Sequence, residues 1–449
     1  MRLRNREFLL LTPALVLTIL GFVLVYFQMG WSGVGPLLYA AIFLILFVIA
    51  HLGTRFLARN SDPYLLPLAA LLSTVGMVFV FRLRESLAFK QSLWFVAGIG
   101  AFLLVLAVVR DMRLLCKLRF PIGILGLLTL LLTAFLGQEI NGARLWVNIG
   151  PLGFQPGEFA KILLVIFFAG YLVDIREVLT VSTRRILGVP LPPLRYLAPL
   201  LVVWAISMAL MVFMKDLGTS MLFFSALLAL LYAATGRVFY VLVGLLLMVV
   251  GGVFLYLVFP HVQTRVDIWL DPWADAENKG YQIVQSLFAL ASGGLFGRGL
   301  GEGFLMLPSG RPRIPYVETD FIFSAIGEEL GLVGAAAIIL LFLLFTYRGF
   351  RIATKAGDDF RRLLAAGLTS IFALQAFLIM GGVTKLIPLT GITLPFISYG
   401  GSSVVANFVL VALLLRISDR SESAALKKMA AGRSAARPAK GAGRKDGVA

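Results

Sequence analysis

Residues 238–260 read VFYVLVGLLLMVVGGVFLYLVFP, a stretch of 23 residues without one charged side chain. A bilayer core takes about 20 such residues as a helix, so this segment alone argues for a membrane. The same ruler applied outward gives about twelve spans. They lie near 8–27, 34–52, 64–83, 91–110, 120–137, 157–174, 197–214, 218–234, 238–260, 318–346, 360–382 and 392–416. Composition agrees. Of 449 residues, 59% are hydrophobic and 14% charged, and mean hydropathy is +0.93. A soluble domain carries about 25% charge and could not hide this much apolar side chain. The chain therefore reads as an all-α polytopic membrane protein.

One cysteine, Cys116, rules out an intrachain disulfide and a thiolate metal cluster, and two distant histidines, His51 and His261, cannot build a histidine metal site. The formal net charge of +17 raises anionic lipid or nucleic acid as partners. Its distribution decides. With the amino terminus in the cytoplasm, 28 of the 40 Lys and Arg fall on the inner side, which predicts both termini cytoplasmic. Residues 419–449, Ala/Gly/Lys/Arg with almost no large apolar side chain, read as a basic disordered tail near acidic headgroups. No zinc finger, RNA-binding signature or basic–aromatic interleaving supports nucleic acid.

Polar residues gather in one long segment, 261–317, on the outer side of that topology. It holds Asp267, Asp271 and Asp275 at steps of four, which would share one face of a helix and demand a cation, substrate or water between them. Six glycines follow between Gly293 and Gly303, allowing close backbone approach to a ligand, or simply a loop dipping into the outer leaflet. Charges inside spans are expensive and informative. Glu158 and Lys161 are spaced to pair on a helix, either fixing packing or lining an outward cavity. Glu328 and Glu329 lie in a later span, with Lys215, Asp216 and Lys385 at helix ends.

Four stretches carry a resemblance. Residues 141–146 (NGARLW) continue through 155–161 (QPGEFAK); 216–220 read DLGTS; 280–286 read GYQIVQS, followed by 319–323 (TDFIF) and 327–331 (GEELG); and 390–403 read TGITLPFISYGGSS. Running in order between about 62 and 418, they resemble the SEDS family (shape, elongation, division and sporulation). The resemblance implies a ten-helix core over 61–418, here preceded by two extra helices in 1–60. It implies a peptidoglycan glycosyltransferase of the bacterial cytoplasmic membrane, polymerising lipid II and undecaprenyl-linked glycan on the outer face beside a class B penicillin-binding protein. The family's Asp-Pro-x-Gly-x-Gly-Tyr reads here Asp275-Ala276-Glu277-Asn278-Lys279-Gly280-Tyr281, so its essential aspartate maps to Asp275, with Asp271-Pro272 a local decoy.

The implied chemistry inverts an anomeric carbon, so Asp275 is the expected base. A leaving pyrophosphate needs positive charge from Arg144, Lys161, Arg265 or Lys385, or from a divalent cation such as magnesium or manganese. Glu158, Tyr281, Gln282, Thr319, Asp320, Ser398 and Tyr399 match motif positions and are expected at the cavity. The extra helices and the Lys215–Ser220 stretch favour a RodA-like elongation enzyme, with an FtsW-like septal polymerase as the alternative. Twelve spans and intramembrane charge also suit a lipid II flippase or transporter, against which no internal repeat is visible. A scaffold without chemistry is the remaining rival.

Overall fold

Long uncharged runs leave the backbone no partner but itself inside a bilayer, and helices result. The computed structural model describes residues 2–28, 35–140, 142–149, 152–180, 184–186, 189–191, 194–305 and 312–435. In chain order these form α1 (Arg2–Gln28), α2 (Gly35–Leu57), α3 (Leu65–Leu83), α4 (Glu85–Val108), α5 (Met112–Lys117), α6 (Arg119–Leu136), β1 (Gln138–Ile140), β2 (Ala143–Ile149) and β3 (Leu152–Phe154). Then come α7 (Gly157–Thr180), β4 (Arg184–Ile186), β5 (Val189–Leu191), α8 (Leu194–Phe213), α9 (Leu217–Thr235), α10 (Val238–Val258), α11 (Pro260–Leu270) and a 3₁₀ turn (Pro272–Asp275). The last are α12 (Tyr281–Ser292), α13 (Ile322–Lys355), α14 (Asp359–Val383) and α15 (Gly401–Ala435).

Among the described residues eleven helices are long and apolar enough to span a membrane. The twelfth expected span, near 157–174, forms as α7. It misses that standard because Glu158, Lys161, Asp174, Arg176 and Glu177 interrupt it. The all-α class holds apart from two small additions: an antiparallel sheet in the order β1-β2-β3, and the hairpin β4-β5.

Burial sorts the helices into an inner and an outer group. Helices α3, α14 and α15 are buried on nearly every side, α15 packing against α4 and α14 against both α9 and α13. A helix apolar all round belongs in such a position. Helix α10 has a single buried residue, Gly244, and presents the rest of its surface outward. The connection 384–400 is non-helical yet buries Ile392, Leu394, Phe396 and Ile397; irregular backbone at membrane depth is tolerated when wrapped in protein.

Long-range contacts define two ends of the bundle. At one, Gln28 at the end of α1 donates to the Leu300 carbonyl, and Arg84 after α3 pairs with Glu318 at 2.7 Å. At the other, Asn60 after α2 meets Asp419 and Ser423 at 2.8 and 3.0 Å. The described residues of segment 261–317 lie at the first end, opposite the start of α1.

Three expectations need correction. Segment 261–317 is no plain loop, since it contains α11, the 3₁₀ turn and α12. Asp267, Asp271 and Asp275 do not share a helical face, because α11 stops at Leu270 and Asp271 caps the turn that follows. Residues 419–435 continue α15 rather than starting a disordered tail; this alanine-rich stretch has high helix propensity. Residues 436–449 lie outside those described.

The glycine loop is gripped from inside α13. Glu328 accepts from the backbone of Phe304 and Leu305, and Glu329 from Gly301, while Arg82 sits 3.4 Å from Glu329. The grip requires a kink at Gly331, where φ is +68° and an added Cβ would lie 2.2 Å from the Gly297 nitrogen. Gly331→Ala is expected to lose about 1–2 kcal/mol from the left-handed backbone alone, with the clash adding to it. Thermal unfolding in detergent, read against Gly100→Ala where nothing lies within 4 Å, measures the difference.

A candidate active-site cavity

Helix α10 ends at Phe259, and Pro260 begins α11 at a position where its missing N–H is harmless. This turn carries Arg265 into the bundle, where it donates to the carbonyls of Leu389 and Thr390 at 3.2 and 3.0 Å. Burial pushes its guanidinium below the usual arginine range, and the negative charges of Asp216 and Asp320 oppose that shift. Trp269, one turn on, donates to the Lys385 carbonyl at 3.2 Å.

The space beside them is a cavity of about 450 Å³ whose polar wall is Arg265, Lys279, Gln282, Asp320 and Lys385. Two of its residues, Tyr316 and Lys385, hold left-handed backbone, with φ of 58° and 61°. Strain of this kind in non-glycine residues concentrates at functional sites. A second hollow of about 410 Å³ adjoins it across Ile268 and Lys279, and Asp275 lies on its wall with Asp267 and Asp271.

Asp275 ends the 3₁₀ turn and is held by the chain that follows. Asn278 Nδ2 donates to its carboxylate at 2.9 Å and the Lys279 N–H at 3.3 Å. The Asn278 bond first, then the backbone bond, holds its carboxyl below the usual range, so it is ionised at neutral pH. Gly280 closes the turn: its N–H donates to the Asp275 carbonyl at 2.9 Å, and a Cβ would come within 2.1 Å of the Pro272 carbonyl.

Burial moves Asp320 the other way, up to about 6, against the pull of Arg265. A carboxyl raised in the folded state favours folding below its ordinary value near 3.8 and loses that contribution as pH rises through about 6. Stability in detergent is therefore expected to fall between pH 4 and 6 by more in the wild type than in Asp320→Asn. Equal slopes in a pH series of melting curves would refute the assignment.

The other expected residues lie around this centre. Lys161 pairs with Glu158 at 2.5 Å and donates to Gln375 at 2.7 Å; Gln375 in turn donates to the Thr393 carbonyl at 2.8 Å. Ser398 donates to the Thr319 carbonyl at 2.6 Å, the Tyr399 N–H to the Glu318 carbonyl at 2.8 Å, and Thr319 to the Tyr316 carbonyl at 2.8 Å. These bonds fix the cavity's rim without exposing Ser398 to it. Tyr281 begins α12, one position before the cavity residue Gln282. Arg144 stands apart on β2, where Glu139 at 3.4 Å also meets Lys215. Sequence reasoning overlooked Lys279 and Gln375. Lys279 stands at a variable position of the Asp-Pro-x-Gly-x-Gly-Tyr motif, and Gln375 had no signal beyond being polar in an apolar helix.

Among the described residues no group of three or more His, Cys, Asp or Glu converges to hold a metal ion by side chains alone; Asp267 and Asp271 accept from Tyr256 and the Trp273 N–H respectively.

The fold and site define a helical polytopic membrane protein with a cation-rich cavity beside a fixed carboxylate. The family model of FtsW, RodA and SpoVE, described as a cell cycle protein, matches residues 64–423. The chain belongs to this family, the SEDS family of the motif reading, and α1 and α2 precede the matched region. It is 45% identical over 430 residues to the peptidoglycan glycosyltransferase RodA of Mycobacterium tuberculosis, covering 92% of this chain and 90% of that one. It is 35% identical over 378 residues to the probable peptidoglycan glycosyltransferase FtsW of Geobacter metallireducens, covering 81% and 96%. A chain from a peptidoglycan synthase complex that coordinates polymerization and crosslinking superposes with a TM-score of 0.66 at 27% identity, covering 80% and 98%.

Proposed function

We propose that this chain is a RodA-like peptidoglycan glycosyltransferase that polymerises lipid II on the outer face of the bacterial cytoplasmic membrane. Both termini face the cytoplasm, and a class B penicillin-binding protein is its partner. The observation that carries the reading is the adjacency of an ionised carboxylate, Asp275, to a cavity lined by Arg265, Lys279 and Lys385. The greater identity to RodA than to FtsW supports the elongation role.

In the reaction, an acceptor sugar hydroxyl attacks the donor's anomeric carbon. A new C–O bond forms as the bond to undecaprenyl pyrophosphate breaks, and the proton passes to Asp275. Negative charge grows on the departing pyrophosphate, where preorganised cations lower the barrier most. Arg265 is anchored by two carbonyls and so needs little reorganisation. Lys279 stands between the two hollows and couples the carboxylate side to the anion side. Glu158 and Lys161 brace the segment 390–400 through Gln375 and organise the cavity from behind.

Purified protein supplied with lipid II and its penicillin-binding partner should give a ladder of glycan products. A folded complex that gives no ladder, yet moves lipid II across vesicles, would replace the polymerase with a flippase.

A further inference from the structure

We propose that a hollow at the opposite end of the bundle, between α1 and α13, binds the headgroup phosphate of an anionic phospholipid. The hollow measures about 300 Å³; Arg6, Arg348, Arg351 and Lys355 face Asp62 and Glu422 across it, with Tyr64 on the same wall. Its charges do not balance. Arg348 engages Asp62, and Lys355 engages Glu422 at 3.0 Å. Arg6 and Arg351 have no carboxylate in ion-pair range among the described residues, and the buried Nε of Arg348 has no hydrogen-bond partner.

The guanidinium groups are already arranged for an anion. Arg348 and Arg6 lie over the Tyr64 ring, 4.1 and 5.0 Å from its centroid. Stacking occupies the flat face of a guanidinium and leaves its N–H edge for an oxygen acceptor, the geometry in which arginine recognises phosphate. Helix α1 is fixed in place by a buried network: Arg4 reaches the Ser61 carbonyl and Glu7, and Glu7 accepts from His51 and Thr54 at 2.7 Å each.

Position selects a lipid over a soluble phosphate. The hollow lies where α1 begins and α13 ends, helices whose apolar spans are only 33% and 28% buried in the bundle. Leu3 on its wall is 38% exposed, and Tyr347 and Phe350 on the last turns of α13 are 59% and 41% exposed. A headgroup here would lay its acyl chains on apolar side chains. Basic pockets between membrane helices suit acidic headgroups for this reason. Helix α1, which supplies Leu3 and Arg6 to the wall, precedes the family-matched residues 64–423.

The test places the full chain in phosphatidylcholine nanodiscs and titrates phosphatidylglycerol, with retention read by native mass spectrometry. Each basic residue near an anionic headgroup is worth a factor of about five. Arg6→Gln and Arg351→Gln should therefore each weaken retention about fivefold, and together about 25-fold. The control pair Arg59→Gln and Lys117→Gln, exposed residues outside the hollow, should change it by less than about twofold. Equal losses from the control pair would mean diffuse surface attraction and overturn the site. Displacement of the lipid by millimolar inorganic phosphate, with no preference for phosphatidylglycerol over phosphatidylcholine, would overturn the lipid assignment.

Discussion

Asp275→Asn is expected to erase the glycan ladder while leaving the protein folded and bound to its partner. A positioned base contributes about 10²–10⁴-fold, and the amide keeps the shape of the carboxylate while losing its charge. The side chain is partly exposed at the end of a short turn, so no packing should be lost. The matched control is Asp271→Asn, whose carboxylate caps the Trp273 N–H on the same hollow; it should retain most activity. A ladder surviving in Asp275→Asn and vanishing in Asp271→Asn would move the base. Because the Asn278 and Lys279 bonds hold the Asp275 carboxyl below its usual range, activity attributable to it should persist as pH falls to mildly acidic values. Asn278→Ala should move the acid limb of the pH–rate profile upward.

The second large effect concerns stability. Lys161 is 1% exposed and Glu158 buried, so each neutralises the other inside the bundle. Removing one partner strands a buried charge, a loss of about 3–5 kcal/mol, whereas replacing both by apolar residues is often neutral. Lys161→Met alone should therefore fail to yield stable protein, while Lys161→Met with Glu158→Leu should recover most of the melting temperature. If the double variant is no better than the single one, the pair is not the reason for the loss. Activity in a recovered double variant separates bracing of segment 390–400 from a direct role in handling substrate.

The gross fold was legible because membrane spans are written in long apolar runs, which need no tertiary information. Helix α7 was readable in the same way despite its charges, since Glu158 and Lys161 sit three apart and neutralise each other. The strands β1–β3 were not readable: three to seven residues with interrupted alternation carry too little periodicity. The supposed face of Asp267, Asp271 and Asp275 failed because spacing assumes a continuous helix, and Pro272 opens a new turn instead. At the site, residues bearing charge in a polar motif were found, and Arg265, Gln282, Asp320 and Lys385 do meet on one cavity. Lys279 was passed over because it falls at a variable position of the motif, although it lines both hollows.

The cavity draws its walls from residues 265–283, 315–320 and 382–391, and the carbonyls that hold Arg265 belong to Leu389 and Thr390. A nascent chain threaded into the membrane from its amino terminus has made eleven of its twelve described long helices before that last wall emerges. Until then Arg265 has nothing to anchor it, and Gln375 has no Thr393 to hold. The cavity is thus completed only once residues 389–393 have been made, and a truncated product stalled in the membrane before them lacks its last wall.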